Sequence, residues 1–211
     1  MARGVFISFE GSEGCGKSTQ IQRLAEHLRN AGRHVVLTRE PGGTEIGEQL
    51  RELLQFSKAG HAMASETELL LFTASRAQLV REFIQPALTE GTWVLSDRFL
   101  DSTTVYQGVA RRLDPQQVAA INQFAIGPTL PDLTFVLDLD PTLARRRLLQ
   151  RAGVPDRMES QPADFYEAVR LGYLALAREN PQRIRLLDAA EPIETIASKI
   201  WDEVAPLVSA A

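Results

Sequence analysis

The stretch Gly11-Ser12-Glu13-Gly14-Cys15-Gly16-Lys17-Ser18 follows the apolar run Val5-Phe6-Ile7-Ser8-Phe9 and leads directly into a helical pattern of apolar residues. The glycines let the backbone curl until several N–H groups point at one phosphate, and the N-terminus of the following helix favours the same anion. Lys17 is then placed to reach phosphate oxygens, and the Ser18 hydroxyl to bind Mg²⁺. A glycine-rich turn between strand and helix can also be purely structural, but both flanking patterns favour a phosphate-binding loop.

Composition narrows the class of protein. The 211 residues are enough for one sizeable core, so we expect a single domain, 1–211. No apolar run approaches the length of a membrane span and no secretion signal precedes the first strand, so we expect a cytoplasmic protein without membrane contacts. The formal net charge of −4 argues against a nucleic-acid polymer as the main ligand. The single cysteine excludes an internal disulfide and a cysteine-based metal site.

Strand and helix patterns alternate along the chain. We predict strands at 5–9, 34–38, 92–97, 133–139 and 184–187, and helices from Lys17 and at 45–55, 65–83, 102–109, 115–126, 142 onward, 163–179 and 193–208. The run Ser65-Glu66-Thr67-Glu68 predicts the cap and first turn of the long helix at 65–83. This alternation predicts an α/β fold with a parallel, doubly wound sheet.

Polar residues follow the second and third predicted strands. Arg39-Glu40-Pro41-Gly42-Gly43-Thr44 cannot form regular structure, and it lies where open α/β sheets bind ligands. The strand at 92–97 ends in Asp97, the position of a Walker B aspartate near the magnesium of a phosphate loop. We therefore predict a Mg²⁺ site from Ser18 with Asp97 or Glu10. Arg98, directly after Asp97, is hard to explain without an anion.

Several motifs together resemble bacterial thymidylate kinases. They are Phe9-Glu10-Gly11 with the loop, Thr38-Arg39-Glu40-Pro41-Gly42-Gly43-Thr44, Asp97-Arg98-Phe99, Tyr106-Gln107-Gly108, Pro131-Asp132-Leu133-Thr134 and Asp156-Arg157-Met158-Glu159. The resemblance implies a five-stranded parallel sheet flanked by helices, a short arginine-bearing lid at about 147–159, a homodimer, and phosphorylation of dTMP to dTDP with ATP and Mg²⁺. It also implies a cis peptide bond at Glu40-Pro41.

The resemblance assigns site residues position by position. It implies an ATP site at Gly11, Ser12, Glu13, Gly14, Cys15, Gly16, Lys17, Ser18 and Thr19, and a dTMP site at Glu13, Glu40, Pro41, Arg51, Phe72, Arg76, Arg98, Thr103, Tyr106 and Gln107. Phe72 would contact the thymine ring and Arg76 its O4 edge, while Arg98 and Arg51 would hold the acceptor phosphate. From the sequence alone, Phe72 is more typical of a core residue than of a stacking platform, and the resemblance reverses that reading; Arg51 on its own would pass for a solvated helix charge.

Three arginines near the lid are the implied sources of catalytic charge, together with Lys17 and Arg98. They are Arg147, Arg151 and Arg157, with Arg151 favoured because it adjoins Ala152-Gly153-Val154-Pro155. Each could instead belong to a solvated basic helix face. One departure from the family pattern stands after Gly108, where Val109-Ala110-Arg111-Arg112 replaces further glycines.

Two further expectations concern single side chains. Lys17 is expected to face a phosphate and to bury no core. Cys15 is expected to have a lowered pKa among the loop N–H groups, although it could equally be a small packed residue. The motifs and the resemblance together predict a dTMP kinase. The alternatives are a kinase of another nucleotide or nucleoside, or a P-loop regulatory ATPase.

Overall fold

The computed structural model describes residues 3–150 and 157–210. Five strands form one sheet in the order β2-β3-β1-β4-β5, and every neighbouring pair is parallel. The strands are β1 (Phe6–Glu10), β2 (Val35–Arg39), β3 (Trp93–Asp97), β4 (Leu133–Asp138) and β5 (Ile184–Asp188). The predicted α/β class and parallel sheet are confirmed.

Helices connect the strands. They are α1 (Lys17–Asn30), α2 (Glu45–Arg51), α3 (Ser65–Leu79), α4 (Gln85–Thr89), α5 (Leu100–Thr103), α6 (Pro115–Ile126), α7 (Pro141–Leu149), α8 (Ala163–Glu179) and α9 (Ile193–Ala210). Turns of π-helix at Glu52–Phe56, Val80–Ile84 and Thr104–Ala110 extend α2, α3 and α5, and a 3₁₀ turn covers Lys58–Ala62. None of the described helices combines the length and apolar character needed to cross a bilayer.

Successive side chains of each strand point to opposite faces of the sheet, and helices cover both faces. Ile7 and Phe9 join the cluster under α1 and α9, whereas Phe6 joins the cluster under α3 and α4. The predicted apolar face of α1 packs in the first cluster through Ile21, Leu24 and Leu28. Burial on both sides explains why the central strands β1, β3 and β4 are mostly apolar.

One predicted cap is wrong. Helix α3 begins at Ser65, so the residue before it, Ala64, occupies the cap position and makes no side-chain cap bond. Glu68 does not act as part of a capping turn either, because its carboxylate is buried in an ion cluster described below. In contrast, Thr44 caps α2 by accepting a hydrogen bond from the Gly47 N–H.

Candidate active site

The phosphate-binding loop joins β1 to α1, as predicted. Gly16, just before the helix, has φ of 97°, and Gly11 lies so close to β4 that a Cβ there would be 2.5 Å from the Leu137 carbonyl oxygen. Both positions therefore favour glycine. Lys17 lines the cleft next to this loop and belongs to none of the hydrophobic core clusters, although only 6% of its surface is accessible. Its Nζ donates to the carbonyl oxygens of Gly11 and Ser12, at 3.3 and 3.0 Å, because loop carbonyls satisfy its charge.

The loop faces a large open cleft. Gly14, Gly16, Lys17, Ser18 and Thr19 line it together with the predicted cationic residues Arg51, Arg98 and Arg147. At its floor the Ser18 hydroxyl donates to the Asp97 carboxylate at 3.2 Å. A hydroxyl and a carboxylate next to a phosphate loop are oxygen ligands of the kind that Mg²⁺ prefers.

Glu10, the other predicted metal ligand, does not fit that role. Its carboxylate is fully buried and accepts hydrogen bonds from the Phe99 N–H, the Ser102 hydroxyl and the Tyr173 hydroxyl. Burial raises the pKa of the Glu10 carboxyl to about 7, with a further contribution from Asp101 and opposition from Arg98. The group is therefore a buried structural acid, and the candidate metal site consists of Ser18 and Asp97.

A second, smaller cavity adjoins the cleft. Among the residues lining it are nine of the ten predicted dTMP contacts, namely Glu13, Glu40, Pro41, Phe72, Arg76, Arg98, Thr103, Tyr106 and Gln107. The tenth, Arg51, lines the cleft and donates to the Pro41 carbonyl at 2.9 Å. Gln55, Ser102 and Met158 complete the lining without having been predicted. Ser102 could have been suspected from its place one turn after Arg98.

Phe72, Glu40 and Pro41 line this cavity, as the resemblance implied. Phe72 is only partly buried and belongs to none of the three core clusters, which removes the alternative of a core residue. The Glu40-Pro41 peptide bond is cis, as expected. The loop after β2 thereby forms one side of the cavity, opposite the turn that carries Tyr106 and Gln107.

Arg76 is the most heavily bonded side chain of the cavity. Only 1% of its surface is accessible, and its guanidinium pairs with Glu40 at 2.6 Å and donates to the Asn122 and Thr103 oxygens and to the Phe99 carbonyl. Burial raises the pKa of the Glu40 carboxyl, and the neighbouring Arg76 opposes that rise. Within the described chain, Nη1 donates only to Asn122, at 2.8 Å, which leaves one of its two N–H groups for a ligand.

Arg98 stands where the cavity opens into the cleft. Its φ of 72° is unusual for a residue other than glycine and is typical of functional sites. The guanidinium contacts the Glu13 carboxylate at 2.5 Å, the Ser102 hydroxyl at 3.0 Å and the Tyr106 and Tyr173 hydroxyls. Burial lowers the pKa of Arg98, but Glu13 and the nearby Tyr106 raise it well above its ordinary value, so the group stays cationic. Tyr173 carried no sequence signal, because it belongs to α8, 75 residues further along.

The three candidate lid arginines have different surroundings. Arg147 lines the cleft and donates to the Ala189 carbonyl after β5. Arg151 lies outside the described residues, as does the adjoining tip Ala152-Gly153-Val154-Pro155. Arg157 is not in the cleft lining, since it donates to the Leu54 carbonyl at 2.7 Å and pairs with the buried Glu68 at 2.6 Å. The catalytic role of Arg157 stays a prediction, and in this structure its guanidinium neutralises the buried Glu68 carboxylate.

Glu68 is a residue that sequence reasoning missed. Its carboxylate, 1% accessible, accepts from Gln107 at 2.8 Å and pairs with Arg111 and Arg157. Arg111 belongs to the segment that replaces the usual glycines, and its guanidinium also stacks over the Phe165 ring, 4.7 Å from the centroid. This segment is thus anchored to α3 and α8.

Comparisons with known proteins agree with this geometry. Residues 9–200 match the thymidylate kinase family. A thymidylate kinase of Pseudomonas putida is 49% identical over 196 residues, covering 93% of this chain and 94% of the relative, and one of Magnetococcus marinus is 44% identical over 202 residues, covering 96% of each. The crystal structure of a thymidylate kinase from Ehrlichia chaffeensis superposes with a TM-score of 0.77 at 33% identity, covering 96% of this chain and 99% of that one. The chain belongs to the thymidylate kinase family.

Proposed function

We propose that this chain transfers the γ-phosphoryl group of ATP to the phosphate of dTMP, which yields dTDP for dTTP synthesis. Its membership of the thymidylate kinase family makes it an ATP-using transferase. The single observation that carries the assignment of parts is that the pocket lined by nine of the ten predicted dTMP contacts adjoins the cleft of the phosphate loop and shares Arg98 and Glu13 with it. A donor and an acceptor phosphate can therefore meet at that opening.

Phosphoryl transfer asks the protein for positioning and for neutralisation of charge rather than for a nucleophilic side chain. Lys17 and the loop N–H groups serve the donor phosphates, and Arg98 serves the acceptor phosphate. The Ser18 hydroxyl and the Asp97 carboxylate would hold Mg²⁺, which neutralises phosphate charge when bound. Mg²⁺ commonly takes one or two protein ligands and completes its shell with phosphates and water. The described residues contain no cluster of three or more acidic, histidine or cysteine ligands, which agrees with that mode.

We infer that the lid charge comes from Arg147 and Arg151. Arg147 already lies on the cleft near the end of α7, and Arg151 follows it by four residues in the sequence. Arg157 is left out because Glu68 holds it. Positive charge near the transferring group stabilises the charge that develops on its oxygens.

Selectivity for thymine follows from the hydrogen-bond chemistry of Arg76. Thymine presents a carbonyl at its O4 edge, whereas cytosine presents an amino donor there, and arginine can only donate. The remaining Nη1 N–H of Arg76 would face a donor in dCMP. A site built around a buried hydrogen bond rejects an analogue that cannot make it by about 10⁴–10⁵. Phe72 can stack on any base and does not supply this discrimination.

A coupled assay of ADP release tests the proposal. Wild-type protein with Mg²⁺ and ATP is expected to use dTMP and to use dCMP, dGMP and AMP very poorly. Lys17→Ala is expected to lower kcat/KM for dTMP by about 10³ or more, since one cation on the transferring oxygens is worth several kcal/mol. Equal use of dCMP would reopen the acceptor assignment. ATP hydrolysis that ignores every monophosphate would favour a regulatory ATPase instead.

We also propose a homodimer, formed through α3 and α6. These helices pack against each other, and each carries exposed apolar side chains, of which Leu70 is 55% and Phe124 86% accessible. Exposed apolar groups of this size favour a protein interface. Light scattering on wild type and on Phe124→Glu tests this, because the charge is expected to shift a dimer to monomers.

A cytoplasmic location remains a prediction.

A further inference from the structure

Gln55 occupies the boundary between the two cavities. It lies in the π turn Glu52–Phe56 that follows α2 and lines both the acceptor cavity and the phosphate cleft. Only three other residues line both spaces within the described chain, and these are Glu13, Glu40 and Arg98. A phosphoryl group that passes from the cleft to an acceptor in the cavity must cross this boundary. The acceptor phosphate therefore lies within reach of these four side chains.

The side-chain amide of Gln55 makes no hydrogen bond with another described residue. Its Oε1 is a buried atom without a hydrogen-bond partner, and no described residue hydrogen bonds with its amide nitrogen either. Because Oε1 is buried while the side chain lines both cavities, the NH₂ end is the part that faces them. A ligand acceptor or a water that enters either space would give this NH₂ group a hydrogen-bond partner.

The backbone that carries Gln55 is held rigidly. The Arg157 N–H donates to the Gln55 carbonyl at 3.1 Å, and Arg157 Nε donates to the adjacent Leu54 carbonyl at 2.7 Å. Arg157 is in turn fixed by its ion pair with the buried Glu68. A side chain on such a support binds a ligand with little loss of conformational freedom.

We propose that Gln55 is an acceptor-phosphate ligand, donating a hydrogen bond from its amide NH₂ to the phosphate of the bound nucleoside monophosphate. A phosphate only accepts hydrogen bonds, which selects the NH₂ end of the amide. The neutral amide also suits a boundary that already carries the Glu13 and Glu40 carboxylates, where a third negative charge would repel the phosphate. The inference rests on the proposed function, and it adds a residue that discriminates nucleotide from nucleoside.

Calorimetric titration of dTMP and thymidine tests the role, since the two ligands differ only by the phosphate. Gln55→Leu is expected to weaken dTMP binding about tenfold or more, as for loss of a hydrogen bond to a charged group, and to change thymidine binding less than twofold. Gln55→Glu, which keeps the size and shape of the side chain, is expected to weaken dTMP binding further while sparing thymidine. The glutamate variant decides the matter if the leucine variant does not fold.

Gln116→Leu, at an exposed position in α6, is the matched control and is expected to bind both ligands as wild type does. An equal loss for dTMP and thymidine would overturn the proposal, because Gln55 would then only shape the cavity. Unchanged dTMP binding in both Gln55 variants would overturn it as well. Failure of the wild-type protein to bind dTMP would instead contradict the proposed function, so the two ideas fail in different experiments.

Discussion

At the scale of single residues, Arg76 combines two tasks. Its guanidinium neutralises the buried Glu40 carboxylate and also lines the acceptor cavity. The buried pair is surrounded by Asn122 and Thr103, which satisfy further N–H groups. Removal of the arginine would therefore affect stability as well as selectivity.

We expect Arg76→Ala to lower the free energy of unfolding by about 3–5 kcal/mol, because it leaves a buried carboxylate without its partner. Urea denaturation measures the change. The double variant Glu40→Gln/Arg76→Ala is expected to recover part of the loss, since no buried charge then remains. A double variant less stable than Arg76→Ala would mean that the cavity left by the arginine dominates instead.

Cys15 is a buried, free thiol rather than an activated one. Burial raises its pKa, and the nearby Lys17 and Arg98 only oppose that rise, so the expectation of a lowered pKa is wrong. The alternative of a small packed residue is supported, because 1% of its surface is accessible. Loop N–H groups do not activate a thiol that is turned into the core.

The protein is accordingly expected to resist iodoacetamide at pH 7.5, at a rate at least about tenfold below that of a free thiol, since the thiolate is the reactive form. Mass spectrometry of the intact chain measures the rate. Urea-unfolded protein is the control and should react fully. If the folded protein were modified rapidly, and if ATP suppressed that modification, the original hypothesis of an activated thiol would be supported.

At the scale of elements, one carboxylate ties three segments together. Glu68 in the first turn of α3 binds Gln107 and Arg111 from the turn after α5, and Arg157 from the segment before α8. Burial raises the pKa of Glu68, but the hydrogen bonds from Gln107 and Arg111 outweigh it, so the pKa is lowered overall. The carboxylate is thus ionised and its attraction to both arginines is present at neutral pH.

Glu68→Gln is expected to lower the free energy of unfolding at pH 7 by about 1.5–3 kcal/mol, as for loss of a charge-assisted hydrogen bond. Glu66→Gln, an exposed position in the same helical turn, is the control and should change it by less than about 0.5 kcal/mol. Chemical denaturation measures both variants. Equal effects at the two positions would show that the helix turn, rather than the ion cluster, governs stability.

At the scale of the whole molecule, the parallel strands bring a buried polar network to the carboxyl end of β1. Glu10 sits in it beside Ser102 and Tyr173, with Arg98 and Asp101 near by. Its pKa of about 7 when folded lies above the ordinary value of 4.5. Between these values the folded protein binds a proton that the unfolded chain releases, so the contribution of Glu10 to stability falls as pH rises.

Wild-type protein is therefore expected to lose stability relative to Glu10→Gln between pH 4.5 and about 7, with little further change above pH 7. Urea denaturation at half-unit steps of pH measures the difference between the two proteins. Taking the difference cancels contributions from other groups, such as Glu40, whose pKa burial also raises. A constant difference over this range would mean that Glu10 has an ordinary pKa when folded.

The sequence by itself determined the phosphate loop and the alternation of strands and helices, because these depend on glycine spacing and apolar periodicity, which are local properties. The resemblance to thymidylate kinases, rather than any local pattern, implied nine of the residues that line the acceptor cavity. Only the tertiary structure decided which groups pair. Arg76 meets Glu40, Arg98 meets Tyr173 and Arg157 meets Glu68 across 36, 75 and 89 residues. The same packing turned Glu10 and Cys15 inward, because a charge or thiol acquires its chemistry from burial and neighbours that no local pattern encodes.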